Sequence, residues 1–241
     1  MHAIVLLSGG LDSTTVATHA LREGHQLRAL TIGYGQRHLR ELRSARAVAR
    51  RLGIPLLEVD AGFYAGLASH SALTSAAHAI PEHRDPAQLA AGIPITYVPL
   101  RNTFLVTLAA AALESWLLDD IEHGGADPAA LAGSIYVGAN AIDYSGYPDC
   151  RPEFYQAIAE VIRLGSKVGT AYNVPIRIEA PIIAMSKADI VRHAAALGAP
   201  LELTWSCYAG GDTPCGACDS CQLRAAGFAA AGIPDPALAP P

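Results

Sequence analysis

The sequence predicts a doubly wound α/β fold with a small cysteine-bearing element at its C-terminus, on three observations. Short apolar runs recur between Ala3 and Glu179 without polar alternation, as strands covered on both faces require. Helical periods lie between them, so strand and helix alternate and the sheet is parallel. Four cysteines then crowd between positions 207 and 221. With 241 residues, 51% of them hydrophobic and 16% charged, the chain can bury a large core. The expected division is an α/β domain over 1–200, a cysteine element over 201–228 and a flexible tail over 229–241.

The elements follow in order. Ala3 to Leu7 is the first strand, and a helical pattern starts at Thr14 and closes near Gly24. Leu27 to Gly33 is a second buried strand. After the turn Tyr34-Gly35-Gln36-Arg37-His38, apolar residues from Leu42 to Leu52 keep helical spacing and stop at Gly53. Ile54 to Val59 is a third strand, with Pro55 tolerable near its start. Residues 60–97 have no sustained period and read as a long excursion beside the site, either a lid or a surface insertion. A helix runs from Thr103, Asp119 to Gly133 is a polar surface loop, and Ser134 to Ala139 is a fourth strand. Ala141 to Arg151 is a dense turn region. A helix from Pro152 to about Gly165, a strand near Arg177 to Glu179 and a helix from Lys187 to Leu197, ended by Gly198, complete the domain.

The chemistry centres on Ser8-Gly9-Gly10-Leu11-Asp12-Ser13, between the first strand and the first helix. Adjacent glycines let backbone approach an anion, and the helix that follows aims unpaired N–H groups and its positive dipole end at the same point. The pattern is a phosphate cradle. It lacks the Lys-Ser/Thr of a Walker loop and the G-x-G-x-x-G of dinucleotide folds. A net charge of −5 and the absence of a long basic run argue against a polynucleotide partner. No apolar stretch reads as a signal peptide or membrane span, so a cytoplasmic location is expected.

Cys207, Cys215, Cys218 and Cys221 have the spacing C-x7-C-x2-C-x2-C, with glycines and Pro214 supplying tight turns. Four thiolates so spaced can close a tetrahedral Zn2+ site, with an iron–sulfur cluster as the alternative. A closed four-sulfur shell leaves no open position, which makes its role structural. Cys150 stands apart, as apolar packing or as a group near the ligand.

Five stretches together carry a resemblance: S-G-G-L-D-S at 8–13, Y-G-Q-R-H at 34–38, V-P-L-R-N at 98–102, D-Y-S-G-Y-P-D-C-R at 143–151, and the cysteine segment from Cys207 to Arg224. The first resembles the pyrophosphate loop of the ATP pyrophosphatases, and the set as a whole resembles the 7-cyano-7-deazaguanine synthase family over nearly the full chain. That resemblance implies synthesis of a nitrile from 7-carboxy-7-deazaguanine, ammonia and ATP through an adenylated acid, an amide and a second activation. It implies that Leu7, Ser8, Gly9, Gly10, Leu11, Asp12, Ser13, Thr14, Thr15, Val16 and Ala17 bind ATP. Asp12 would help hold Mg2+, and the four cysteines would hold Zn2+. Such enzymes are often dimers, so a homodimer is expected, with no nucleic acid and no membrane as partner.

Residue chemistry adds further candidates. Arg101 and Lys187 join Asp12 as catalytic candidates, and Arg37 is a candidate for the substrate carboxylate; the plain alternative for each cation is a solvated surface charge. Asp143, Tyr144, Tyr147 and Asp149 are candidates for the deazaguanine ring, since a carboxylate accepts from ring N–H groups and a tyrosine stacks on a base. A hydrogen-bonded turn is the alternative there. His38 is either an acid–base group or a turn residue. Leu100 departs from the family pattern, which usually has a small or polar residue at that place. A related adenylating amidotransferase, an RNA-modifying enzyme and a non-catalytic nucleotide-binding protein are the competing readings.

Overall fold

The computed structural model describes residues 1–37, 40–85, 87–88, 92–141 and 147–238. Five strands, β1 (His2–Leu6), β2 (Gln26–Gly33), β3 (Leu56–Asp60), β4 (Gly133–Tyr136) and β5 (Ile176–Glu179), form one sheet in the order β3-β2-β1-β4-β5. All neighbours are parallel, and Val5 pairs with Ala29 on one side and Tyr136 on the other. The longer helices are α1 (Leu11–Arg22), α2 (Arg40–Leu52), α3 (Arg101–Leu118), α4 (Pro152–Gly165), α5 (Lys187–Leu197) and α6 (Asp219–Ala231).

The central strand shows why the apolar runs are continuous. Successive side chains of β1 face opposite layers, so both parities must be apolar. Ile4 joins Leu30, Ile32 and Ile135 in a core with residues of α3 and α4, whereas Ala3 and Val5 join residues of α1, α2, α5 and α6. Strands added after β1 go one way to β3, and the later pair goes the other way. The order therefore reverses between β1 and β4, and a crevice opens there at the carboxyl ends of the strands.

The helix boundaries differ from expectation in ways that bear on this crevice. α1 begins at Leu11, three positions before the expected Thr14, because Gly10 is already an extended N-cap and Asp12 suits the positive first turn. The first intrahelical bond runs from Thr14 N–H to Gly10 O at 3.0 Å, which leaves the Leu11, Asp12 and Ser13 amides without an intrahelical partner. α3 likewise starts at Arg101 rather than Thr103. Residues Asp119–His123, expected as loop, continue α3 as a π-helical turn in which Gly124 N–H donates to Asp119 O at 2.9 Å. Nothing from Asp119 to Glu122 breaks a helix, Ile121 packs on the core, and Glu122 is held by Lys167 at 2.5 Å and Tyr172 at 2.8 Å. No helix among the described residues is long and apolar enough to cross a membrane.

Two further segments matter. The excursion after β3 is mostly irregular among its described residues, with a helical turn at Tyr64–Leu67, yet it is docked: Arg37 N–H donates to Leu73 O, His83 N–H to Ala217 O, and Arg84 pairs with Asp219. Beyond position 228, where a loose tail is expected, α6 continues to Ala231 and Arg224 grips Asp235 in a pair whose side chains are 8% and 7% exposed.

Three backbones converge at the turn after β1. Gly9 has φ +81°, and a Cβ there would lie 2.4 Å from Ala45 N in α2; a Cβ on Gly138, beyond β4, would lie 3.0 Å from Ser13 N. Gly9→Ala should therefore destabilise the protein by ~1–3 kcal/mol through overpacking and a strained left-handed residue. Urea unfolding checks this; an unchanged midpoint contradicts the packing described.

Candidate active site

The turn after β1 is wired to itself. Ser8 N–H donates to Ser13 Oγ at 3.2 Å, the Ser8 and Ser13 hydroxyls lie 3.0 Å apart, and Gly10 N–H reaches Ser8 Oγ at 3.3 Å. These bonds hold the loop open in front of the α1 dipole, a geometry suited to phosphate. Trp205 N–H donates to Gly9 O at 2.9 Å, which places the C-terminal segment beside the loop. Lys187, the first residue of α5, reaches Asp12 with Nζ 3.0 and 2.9 Å from the two carboxylate oxygens. Its stem runs where a Cβ on Gly227 of α6 would lie 2.4 Å from Lys187 Cγ, so that glycine gives the lysine its path.

A cavity of about 300 Å³ extends from this loop across the strand ends to the start of α3. Leu7, Ser8, Gly10, Leu11, Asp12 and Ser13 line it, together with Arg37, Arg101, Tyr147 and Lys187. Gly9 is turned against α2. Thr14, Thr15, Val16 and Ala17 lie beneath the cavity, fully buried, with Thr15 Oγ1 donating to Leu11 O at 2.8 Å; they support the cradle from below. Asp149 is not among the lining residues. Its Oδ2 accepts the Asn102 N–H at 3.1 Å near the start of α3, and Asn102 Nδ2 donates to Asp149 O at 3.0 Å and Cys150 Sγ at 3.3 Å. Asp143, Tyr144 and His38 lie outside the described residues.

The far wall is cationic and aromatic. Burial works against the Arg101 charge, but Tyr34, Tyr147, Cys150 and Asp149 around it raise its pKa, so it stays protonated. Tyr147 OH lies 2.8 Å from Thr96 Oγ1. The Arg37 guanidinium donates to Ala72 O at 3.5 Å and His78 O at 3.4 Å, which ties the excursion to the site. Burial pushes the Cys150 thiol up to about 11, so at neutral pH it is a packing group and not a thiolate. Leu100, just before α3, holds φ +53°, a conformation that strains a residue bearing a branched side chain.

The sulfur atoms of Cys207, Cys215, Cys218 and Cys221 all lie within 4.8 Å of one another. Cys207 Sγ accepts N–H bonds from Ala209 at 3.4 Å and Cys215 at 3.3 Å, and Cys215 Sγ accepts one from Cys218 at 3.4 Å. The hydrogen bond with Cys221 pulls the Cys218 thiol below its ordinary value. Such a donor set can hold a metal ion.

A family model described as queuosine biosynthesis protein QueC matches residues 2–232. The chain belongs to the QueC family. It is 44% identical over 239 residues to the 7-cyano-7-deazaguanine synthase of Nostoc punctiforme, covering 98% of each chain. It is 46% identical to the enzyme of that name from an Anaeromyxobacter strain, covering 98% of this chain and 95% of the relative. The enzyme of that name from Trichodesmium erythraeum is 43% identical, covering 99% and 100%.

In this QueC-family chain, several cavity residues escape reading from sequence. Glu41, Asn102, Tyr155, Trp205 and Ser206 all line the cavity. Asn102 sits inside the V-P-L-R-N motif and Trp205 stands two positions before the first cysteine, so proximity to motifs was a signal for both. Glu41 carries no such signal. It sits in the first turn of an Arg-rich helix, where an acidic residue ordinarily serves the dipole.

The cysteine geometry makes a direct prediction. The purified protein should carry about one tightly held metal ion per chain, and Cys207→Ser should lose it together with several degrees of thermal stability. Elemental analysis with a melting curve checks this; a metal-free wild-type protein with the same stability contradicts it.

Proposed function

We propose that this chain makes 7-cyano-7-deazaguanine from 7-carboxy-7-deazaguanine, ammonia and ATP, activating the substrate twice as an adenylate. Membership of the QueC family and the names of its relatives support the reaction. The observation that carries it in this chain is one continuous cavity with a phosphate cradle at one end and a half-buried arginine at the other. A carboxylate is a poor electrophile with a poor leaving group, so joining it to AMP is the sensible activation, and the protein contributes position and charge.

The residues divide the work. The free amides of the first turn of α1 and the Ser8 and Ser13 hydroxyls receive phosphate oxygens, with Lys187 as the cation closest to the loop. Mg2+ is commonly held by one or two carboxylates plus phosphates, and Asp12 fits that role at this end; when bound, the ion neutralises phosphate charge. Arg101 faces the carboxylate of the base or the oxygen that develops charge on it. Tyr147 and Tyr155 supply ring faces beside the base. Zn2+ is the ion that best suits the four cysteines, holding the segment around Trp205 against the phosphate loop. Ammonia, ATP and the deazapurine acid are all small molecules, and a homodimer remains the proposed assembly.

The test is the mass of the product formed from 7-carboxy-7-deazaguanine, ATP, Mg2+ and ammonium. The nitrile, with AMP and pyrophosphate, is expected, and Asp12→Ala should lower its rate by ~10²-fold or more. An amide as the only product means that this chain stops after one activation. No product from folded protein overturns the substrate.

A further inference from the structure

Making a nitrile from an acid requires proton removal as well as activation, and the described residues that line the cavity include few groups able to do it. When ammonia attacks the acyl adenylate, its nitrogen must lose a proton before AMP departs. When the amide oxygen has in turn been joined to AMP, the nitrogen carries two N–H bonds and a positive charge. One proton is lost to give the neutral imidate; the second N–H bond then breaks, its electron pair becomes the second C–N π bond, and AMP leaves with the pair of the C–O bond. Adenylation itself needs no base, because a carboxylate or amide oxygen attacks phosphorus directly. The base therefore belongs to the second half of each activation.

Among the described residues that line the cavity there is no histidine, and the carboxylates are Asp12 and Glu41. Asp12 is occupied by Lys187 through both oxygens. Tyr34 and Tyr155 are pushed further from ionisation by burial, and Cys150 is held as the thiol. Glu41 remains. It is only partly exposed, it opens on the cavity, and its carboxyl has no hydrogen-bond partner among the described residues. A half-buried carboxyl that opens on a cavity, with no protein partner among the described residues, is free to meet a group that enters. The first turn of α2 is also fixed in place, because Ser44 and Ala45, one turn on, pack against Gly9 of the phosphate loop. Glu41 is thus held one turn from the loop contact and within electrostatic reach of Arg101.

We infer that Glu41 is the general base that takes the nitrogen proton in both steps, first from the attacking ammonia and then from the adenylated amide. This rests on the proposed reaction. Among the described residues, the charged groups sharing the cavity with Glu41 are Arg37, Arg101, Lys187, Arg224 and Asp12. Burial pushes the Glu41 carboxyl up to about 7, with Arg101 pulling it back, which places it where a base can both accept and release a proton near neutrality. The ionised form is the active one, so the rate should rise with pH through that value.

The deciding experiment starts from the amide, 7-carbamoyl-7-deazaguanine, so that titration of ammonium does not enter. Conversion to nitrile by wild-type protein with ATP and Mg2+ should increase through about pH 7. Glu41→Gln should be slower by ~10²-fold with the pH-dependent limb gone, and Glu41→Asp should recover part of the rate. Exchange of labelled pyrophosphate into ATP in the presence of the carboxylate substrate is measured on the same samples, and in Glu41→Gln it should fall less than ~10-fold because adenylation needs no base. Loss of exchange and nitrile formation in parallel would overturn the base role and make Glu41 a binding residue. A full-rate Glu41→Gln, or one that keeps the limb, would overturn it too. If wild-type protein shows no substrate-dependent exchange, the substrate assignment fails and the inference fails with it.

Discussion

The structure depends on a close approach of three backbones at the carboxyl end of β1. The turn from Ser8 to Ser13 lies between α2, which touches Gly9, and the chain leaving β4, where Gly138 touches Ser13. A side chain at either glycine would force the layers apart. Because the approach is made by backbone, the amides at the start of α1 stay directed at the crevice. The strand order places this turn at the point where the sheet changes direction, the one place where neighbouring connections diverge and leave room for a ligand.

The C-terminal segment completes the site. Trp205 donates to Gly9 O, its indole N–H donates to Cys207 O at 2.9 Å, and Lys187 reaches the loop along a path left by Gly227. The four-cysteine cluster therefore stabilises the geometry of the phosphate loop from a distance. It also anchors the excursion after β3, through the bridge between Glu82 and Cys218 and the pair between Arg84 and the fully buried Asp219. That pair is a strong constraint, since removing Arg84 would leave an uncompensated buried carboxylate. Through Arg37, whose guanidinium binds excursion carbonyls, the same constraint reaches the cavity wall.

Much of this was legible in the sequence because it depends on local pattern. The glycine pair after an apolar run, the cysteine spacing and the helix from Lys187 to Leu197 with its capping Ser186 are all signals contained within a few residues. What was not legible depends on which way an element turns. Thr14 to Ala17 follow the loop in sequence, yet a helix starting at Leu11 carries them under the cavity into the core. Asp149 looks like a base-binding carboxylate in its motif and instead accepts the Asn102 amide at the start of α3. Glu41 looks like an ordinary first-turn acid and faces the cavity only because α2 is held against Gly9. No periodicity encodes that contact.

One cavity performing two activations is the central claim, and the most direct test is the number of AMP molecules released per nitrile formed. Starting from the carboxylate, two are expected, and starting from the amide, one, with no free amide chased out by excess unlabelled amide if the intermediate stays seated between the loop and Arg101. A single AMP per nitrile from the carboxylate would contradict the account, because the second carbon–oxygen bond would then be broken without adenylation.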